Sequence, residues 1–284
     1  MKQKAPANHR KAVADEMKKV SGRHSTYQVF NDFVEMAAIA LRNKVDFGDR
    51  DAREQRYLAI VGKYERKDVE AFPRMLGHLA MALNAGLEDV LGAVFHDLEL
   101  GNKYTGQFFT PYHVSYMMAK MAMHDLKGHP ALQEPGGFIT AAEPACGAGG
   151  MIVAMAHACM DEEVDYREQL HVTAVDVDPR CVHMSYVQCA LLGIPAIIHL
   201  GNTLTLEIRE AWPTPAHITG LWAYRLHRRG IDEADATWWR KHTLAQRAAM
   251  LAEHDVDLGQ IVAARPPRVI LESRDAQAET META

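Results

Sequence analysis

Apolar positions in the first hundred residues recur at helical spacing. Over 27–43 they fall at Val29, Phe30, Phe33, Met36, Ala37, Ala40 and Leu41, which line one face of a 3.6-residue period. The stretch 49–64 repeats the pattern with Tyr57, Leu58, Val61 and Tyr64, and 69–85 and 87–98 follow it. β-branched runs are scarce throughout. The pattern therefore predicts an all-helical region over 25–100. Ahead of it, 1–24 is polar and basic and reads as a flexible arm. It has no apolar stretch of the kind that marks a secretory signal.

The pattern changes after Gly101. A loop over 103–112 leads to Pro111, a residue suited to a helix start. A helix over 114–126 follows, and its methionines Met117, Met118, Met121 and Met123 read as core filler. Then come a short apolar strand at 138–142, a helix at 151–160, and a strand at 170–175 ending in Asp176. A helix at 179–192 stops at Gly193, and a strand follows at 196–200. Strand, helix, strand, helix, strand predicts an α/β fold with a doubly wound parallel sheet. This domain is read over 101–273. Residues 207–229 hold Trp212, Pro213 and Pro215 and give no clear element before an amphipathic piece from Ile218. A helix is expected at 232–253, one last strand at 268–272, and a disordered tail at 274–284.

Composition narrows the class. The chain has 284 residues, 48% of them hydrophobic, enough for a real core but with no apolar run long enough to span a bilayer. Cys146, Cys159, Cys181 and Cys189 show neither Cys-x-x-Cys pairing nor histidines at metal spacing. They read as free thiols of a cytoplasmic protein, with no metal site. The net charge of −6 excludes a strongly basic nucleic-acid binder. Charge is nonetheless uneven. Lys2, Lys4, Arg10, Lys11, Lys18, Lys19 and Arg23 form one basic group, and Arg225, Arg228, Arg229, Arg240 and Lys241 another. Each is either a solvated face or a surface for phosphates.

The chemistry centres on the turn between the first strand and its helix, Glu143-Pro-Ala-Cys-Gly-Ala-Gly-Gly150. Glycines let the backbone turn sharply and approach a ligand, and the helix N-terminus offers free N–H groups. The glycines fall as Gly147-x-Gly149-Gly150, not as the Gly-x-Gly-x-x-Gly of dinucleotide folds. Glu143 would repel a pyrophosphate and attract a ligand carrying ammonium and sulfonium groups. Asp176 follows roughly 30 residues after the glycines, against about 20 in the dinucleotide fingerprint. An acid there can accept from ribose hydroxyls. Asp178-Pro179 suits the cap of the next helix.

Four segments in this order resemble the gamma-class adenine-N6 DNA methyltransferases, in particular the methylation subunit of type I restriction–modification systems. They are Gly106-Gln-Phe-Phe-Thr-Pro111, Glu143 to Gly150, Val175-Asp-Val-Asp-Pro179 and Gly201-Asn-Thr-Leu204. The likeness is specific over 103–204. The helical stretch from Tyr27 through Leu100 more loosely resembles the leader of phage- and mobile-element-encoded members. The resemblance implies a Rossmann-like fold of the S-adenosylmethionine-dependent type, S-adenosylmethionine as cofactor, and methylation of adenine N6 in DNA. It implies DNA as partner, together with a specificity or restriction subunit, and no membrane. It places Thr110, Pro111, Glu143, Cys146, Gly147 and Gly149 at the methionine end of the cofactor, Asp176 at the ribose and Asn202 at the adenine. The family carries an Asp at the last position; an amide keeps both a donor and an acceptor but loses the charge.

The family's Asn/Asp-Pro-Pro-aromatic motif, which holds the flipped adenine and its exocyclic amine, is absent. Pro266-Pro267 is flanked by Arg265 and Arg268, and Trp212-Pro213 has no acceptor before it. The catalytic residues are therefore unassigned. Two readings stay open: a DNA methyltransferase, and a degenerate relative acting as a DNA-binding or regulatory partner. A methyltransferase for a small molecule or a protein is a third.

Overall fold

The computed structural model describes residues 8–20, 22–101 and 109–230. The N-terminal region holds α1 (His9–Val20), α2 (Thr26–Arg42), α3 (Arg50–Val61), α4 (Arg66–Val69), α5 (Ala71–Asn84) and α6 (Val90–Asp97). After it come α7 (Tyr112–Ala122), α8 (Pro130–Gln133), β1 (Ile139–Glu143), α9 (Gly150–Asp161), α10 (Tyr166–Gln169), β2 (Leu170–Asp176), α11 (Pro179–Leu192) and β3 (Ala196–Asn202). β4 (Glu207–Pro213), α12 (Pro215–Thr219) and α13 (Trp222–Arg228) complete the described chain. The expected last strand, the helix at 232–253 and the tail lie outside the described residues.

The sheet is mixed, in the order β1-β2-β3-β4. β1, β2 and β3 are parallel, as the alternation of strand and helix requires, with Glu143 paired to Ala174 and Asp176 to Leu200. All three therefore deliver their carboxyl ends, and the residues that follow, to one edge of the sheet. β4 runs antiparallel against β3. It was not foreseen in the sequence, because its pattern is interrupted by charge (Glu207, Arg209, Glu210) and ends in a proline. Proline is tolerated there because, among the described residues, β4 is an edge strand.

Leu170, Val172 and Ala174 of β2 alternate with His171, as the two-residue period of a strand dictates. The first set joins the main core with Ala196, Ile198 and Leu200 of β3. On the other face His171 packs against His217 and Trp222, from α12 and α13. The main core is continuous: Phe30, Leu79 and Val94 of the helical region belong to the same buried cluster as Ile152, Val172 and Ile198.

Two expectations are corrected. The basic arm contains α1, whose Val13, Met17 and Val20 are buried against the rest of the helical bundle. Its apolar stripe is only three or four residues wide among lysines and arginines, so charge masked it. The methionines of α7 are also not filler: Met117, Met118 and Met121 are exposed, and only Met123 is buried. The helix turns Ser115 and Ala119 inward instead, and small residues allow close approach to α9.

Candidate functional site

The loop Glu143–Gly150 is built by the strand before it and the helices behind it. The Cys146 N–H donates to the Val175 carbonyl of β2 at 3.0 Å, and the Gly149 N–H to the Cys146 carbonyl at 2.8 Å. Gly147 and Gly149 have φ of +53° and +92°, which L side chains rarely adopt. A Cβ on Gly149 would lie 3.0 Å from Ser185 Cα, and one on Gly147 3.1 Å from the Phe109 ring. Positive φ and close neighbours thus favour glycine at both positions. Two polar residues of α11 hold the next carbonyls. Ser185 Oγ donates to the Gly147 carbonyl at 2.8 Å, and Gln188 Nε2 to the Ala148 carbonyl at 2.8 Å.

Two carboxylates face this loop from neighbouring strand ends. Glu143 is partly exposed, and its Oε1 accepts from the Ala145 N–H at 3.1 Å. Partial burial raises its pKa and the Ala145 bond lowers it, while the nearby Asp176 charge raises it further. Asp176 accepts from the Gly147 N–H at 2.8 Å and from the Asp178 N–H at 2.9 Å, so it ties the first loop to the second. Each carboxylate oxygen keeps a second acceptor direction. Neither acid forms an ion pair among the described residues. A ligand with positive charge would relieve the repulsion between them.

The other expected site residues are distributed as follows. Asn202 ends β3 on the same edge; its Oδ1 accepts from the Leu204 N–H at 2.9 Å and keeps a second acceptor direction beside its amide hydrogens. Thr203 Oγ1 donates to the Pro144 carbonyl at 2.7 Å and joins this strand end to the loop. Thr110 and Pro111 are exposed at the start of α7, and the aromatic ring before them, Phe109, lies over Gly147. Residues 102–108 of that segment lie outside the described residues. The Cys146 side chain is buried towards Ser185, and burial pushes its thiol up to about 12. It is a neutral packing group, so only its backbone faces the loop interior.

Phe109, Ser185, Gln188 and Thr203 were not singled out by sequence. A signal existed for two of them: Ser185 and Gln188 are polar residues three apart on a helix whose neighbours Val182, Tyr186, Val187 and Cys189 are fully or almost fully buried. Polar groups at such positions need partners. Two arginines of the second basic group make internal bonds. Arg225 donates to the Glu168 carbonyl and stacks on Trp222, while Arg229 reaches the Phe138 carbonyl. The four cysteines are free and buried. No described helix is long and apolar enough to cross a membrane. Trp212 is 1% exposed, packed among His183, Tyr186 and Arg42. It lies on β4, paired with Ile198 of β3, with β2 and β3 between it and β1, and its burial leaves no face for a base to stack on.

Parallel strands thus present an acid, a glycine loop and a second acid at their carboxyl ends. Residues 89–219 match the family model of N-6 DNA methylases. Among solved structures the chain is similar to a Listeria monocytogenes protein described as a class I S-adenosylmethionine-dependent methyltransferase. The identity is 15% and the TM-score 0.36, over 67% of this chain and 51% of that one. This chain thus spans about half of that protein's length. A comparison with curated proteins found no match.

Proposed function

We propose that the chain binds S-adenosylmethionine between Glu143, Asp176 and the loop Cys146–Gly150, and serves methylation of adenine N6 in DNA. The observation that carries the reading is the pair of carboxylates, without an ion pair among the described residues, beside a loop with glycines at positive φ. A ligand with an α-ammonium and a sulfonium matches that charge. The residues fit the cofactor: Glu143 and the loop N–H groups suit its amino-acid end, and Asp176 its ribose. Asn202 and the Phe109–Pro111 segment suit its flanks. When bound, S-adenosylmethionine would supply a methyl group on an electrophilic sulfonium. The protein's part is to orient the cofactor and exclude water.

A second reading is favoured by one observation. β4 carries no Asn/Asp-Pro-Pro-aromatic segment, and its one tryptophan is buried. On this reading the chain keeps the cofactor fold but acts as a DNA-binding or regulatory partner, and a specificity or restriction subunit supplies the base pocket. The test is transfer of labelled methyl to adenine-rich duplex DNA, by the chain alone and with a neighbouring specificity protein. Transfer by the chain alone, lost in Asp176→Ala, supports the first reading. Cofactor binding with no transfer unless the partner is added supports the second.

A further inference from the structure

The helical region reaches the glycine loop through one buried carboxyl group, Asp89. It N-caps α6, where Oδ1 accepts from the Gly92 N–H at 2.8 Å. The same Oδ1 accepts from Gln188 Nε2 at 2.8 Å. Its other oxygen packs on the first residue of α9: a Cβ on Gly150 would lie 2.9 Å from Asp89 Oδ2, and one on Gly92 2.1 Å from it. Two glycines, one from the helical region and one from the loop, make room for a single side chain. Asp89 is only 7% exposed, and burial raises its carboxyl above the usual range. The positive ends of α6 and α9 offset part of that cost.

Gln188, 0% exposed, is the other half of the junction. Its Oε1 accepts from the Leu91 N–H at 3.1 Å, and its amide hydrogens go to Asp89 and to the Ala148 carbonyl. Three bonds fix the orientation of the amide and use it to join α6, α11 and the loop. An isolated buried amide would cost free energy, so the set is cooperative.

We propose that Asp89 and Gln188 are positioning residues: they set the conformation of the loop Cys146–Gly150, making the helical region part of the site and not a separate appendage. The functional half of this claim rests on the reading of that loop as the cofactor site. Amide hydrogen exchange over 144–153 reads the loop without any ligand. In Gln188→Leu, exchange there is expected to rise about tenfold while α5 and β3 stay unchanged. Ile60→Ala, on a helix with no bond to the loop, supplies the control for global destabilisation. A rise spread evenly over the protein as in that control, or no rise, would overturn the proposal. Asp89→Ala carries the same test should Gln188→Leu not fold. Asp89→Asn, which keeps the acceptor oxygen, is expected to restore most of the lost protection; a merely space-filling role predicts no such rescue. Titration with S-adenosylhomocysteine forms the second arm, with affinity about tenfold weaker in Gln188→Leu than in Ile60→Ala. If the native chain takes up none, the cofactor reading fails, while the exchange result still decides the role of Asp89 and Gln188.

Discussion

At the scale of single residues, the site depends on groups whose geometry leaves little freedom. Gly149 holds φ of +92° with Ser185 against it, so Gly149→Ala is expected to destabilise the protein by about 1–3 kcal/mol in urea unfolding. Asp176 holds two backbone N–H groups besides any ligand contact. Asp176→Ala is therefore expected to weaken S-adenosylhomocysteine binding at least about tenfold by calorimetry. Buried histidines make a separate, pH-dependent claim. Burial lowers His171 and His183 to about 3 and His199 to about 4, and His217 well below its ordinary value. Their folded pKa values lie below the unfolded value, so the unfolded chain binds protons first. Their contribution is complete above about pH 6.5 and is lost as the pH falls towards 3–4. By pH 5 each costs about 2 kcal/mol, an upper figure for isolated groups. The raised carboxyls of Asp89 and Glu143 act in the opposite sense. Unfolding midpoints should fall steeply between pH 6.5 and 5, and His171→Phe or His199→Phe should flatten that fall.

At the scale of elements, α1 shows how charge can hide a packed helix. Met17 is completely buried, so Met17→Ala is expected to cost about 2–5 kcal/mol in thermal or urea unfolding, whereas a free arm would register nothing. Sequence revealed the parallel core because its signals are local. Asp178 caps α11 with Pro179 at its first position, Gly193 ends it with φ of +68°, and apolar runs mark β2 and β3. Glu143 and Asp176 could be placed at strand ends, and the glycines in a turn, because such positions are set by neighbours in the chain. Sequence did not reveal β4, whose place depends on pairing with β3 and on Arg42 donating to the Ala211 carbonyl from a helix far away in sequence. The same reason hid Asp89 and Gln188, whose meaning lies in contacts across about a hundred residues.

At the scale of the whole molecule, one core joins the helical region to the sheet, and polar contacts between them fall at the glycine loop and at β4. Two acids, Glu143 and Asp176, face the glycine loop, while Arg225 and Arg229 make internal bonds. The central claim is that the acid–glycine–acid site takes S-adenosylmethionine. Calorimetric titration of the native chain with S-adenosylmethionine at pH 7.5 tests it most directly. The account predicts saturable one-to-one binding, displaced by S-adenosylhomocysteine and lost in Asp176→Ala. Absence of binding by the folded native chain, or affinity unchanged in Asp176→Ala, would contradict it.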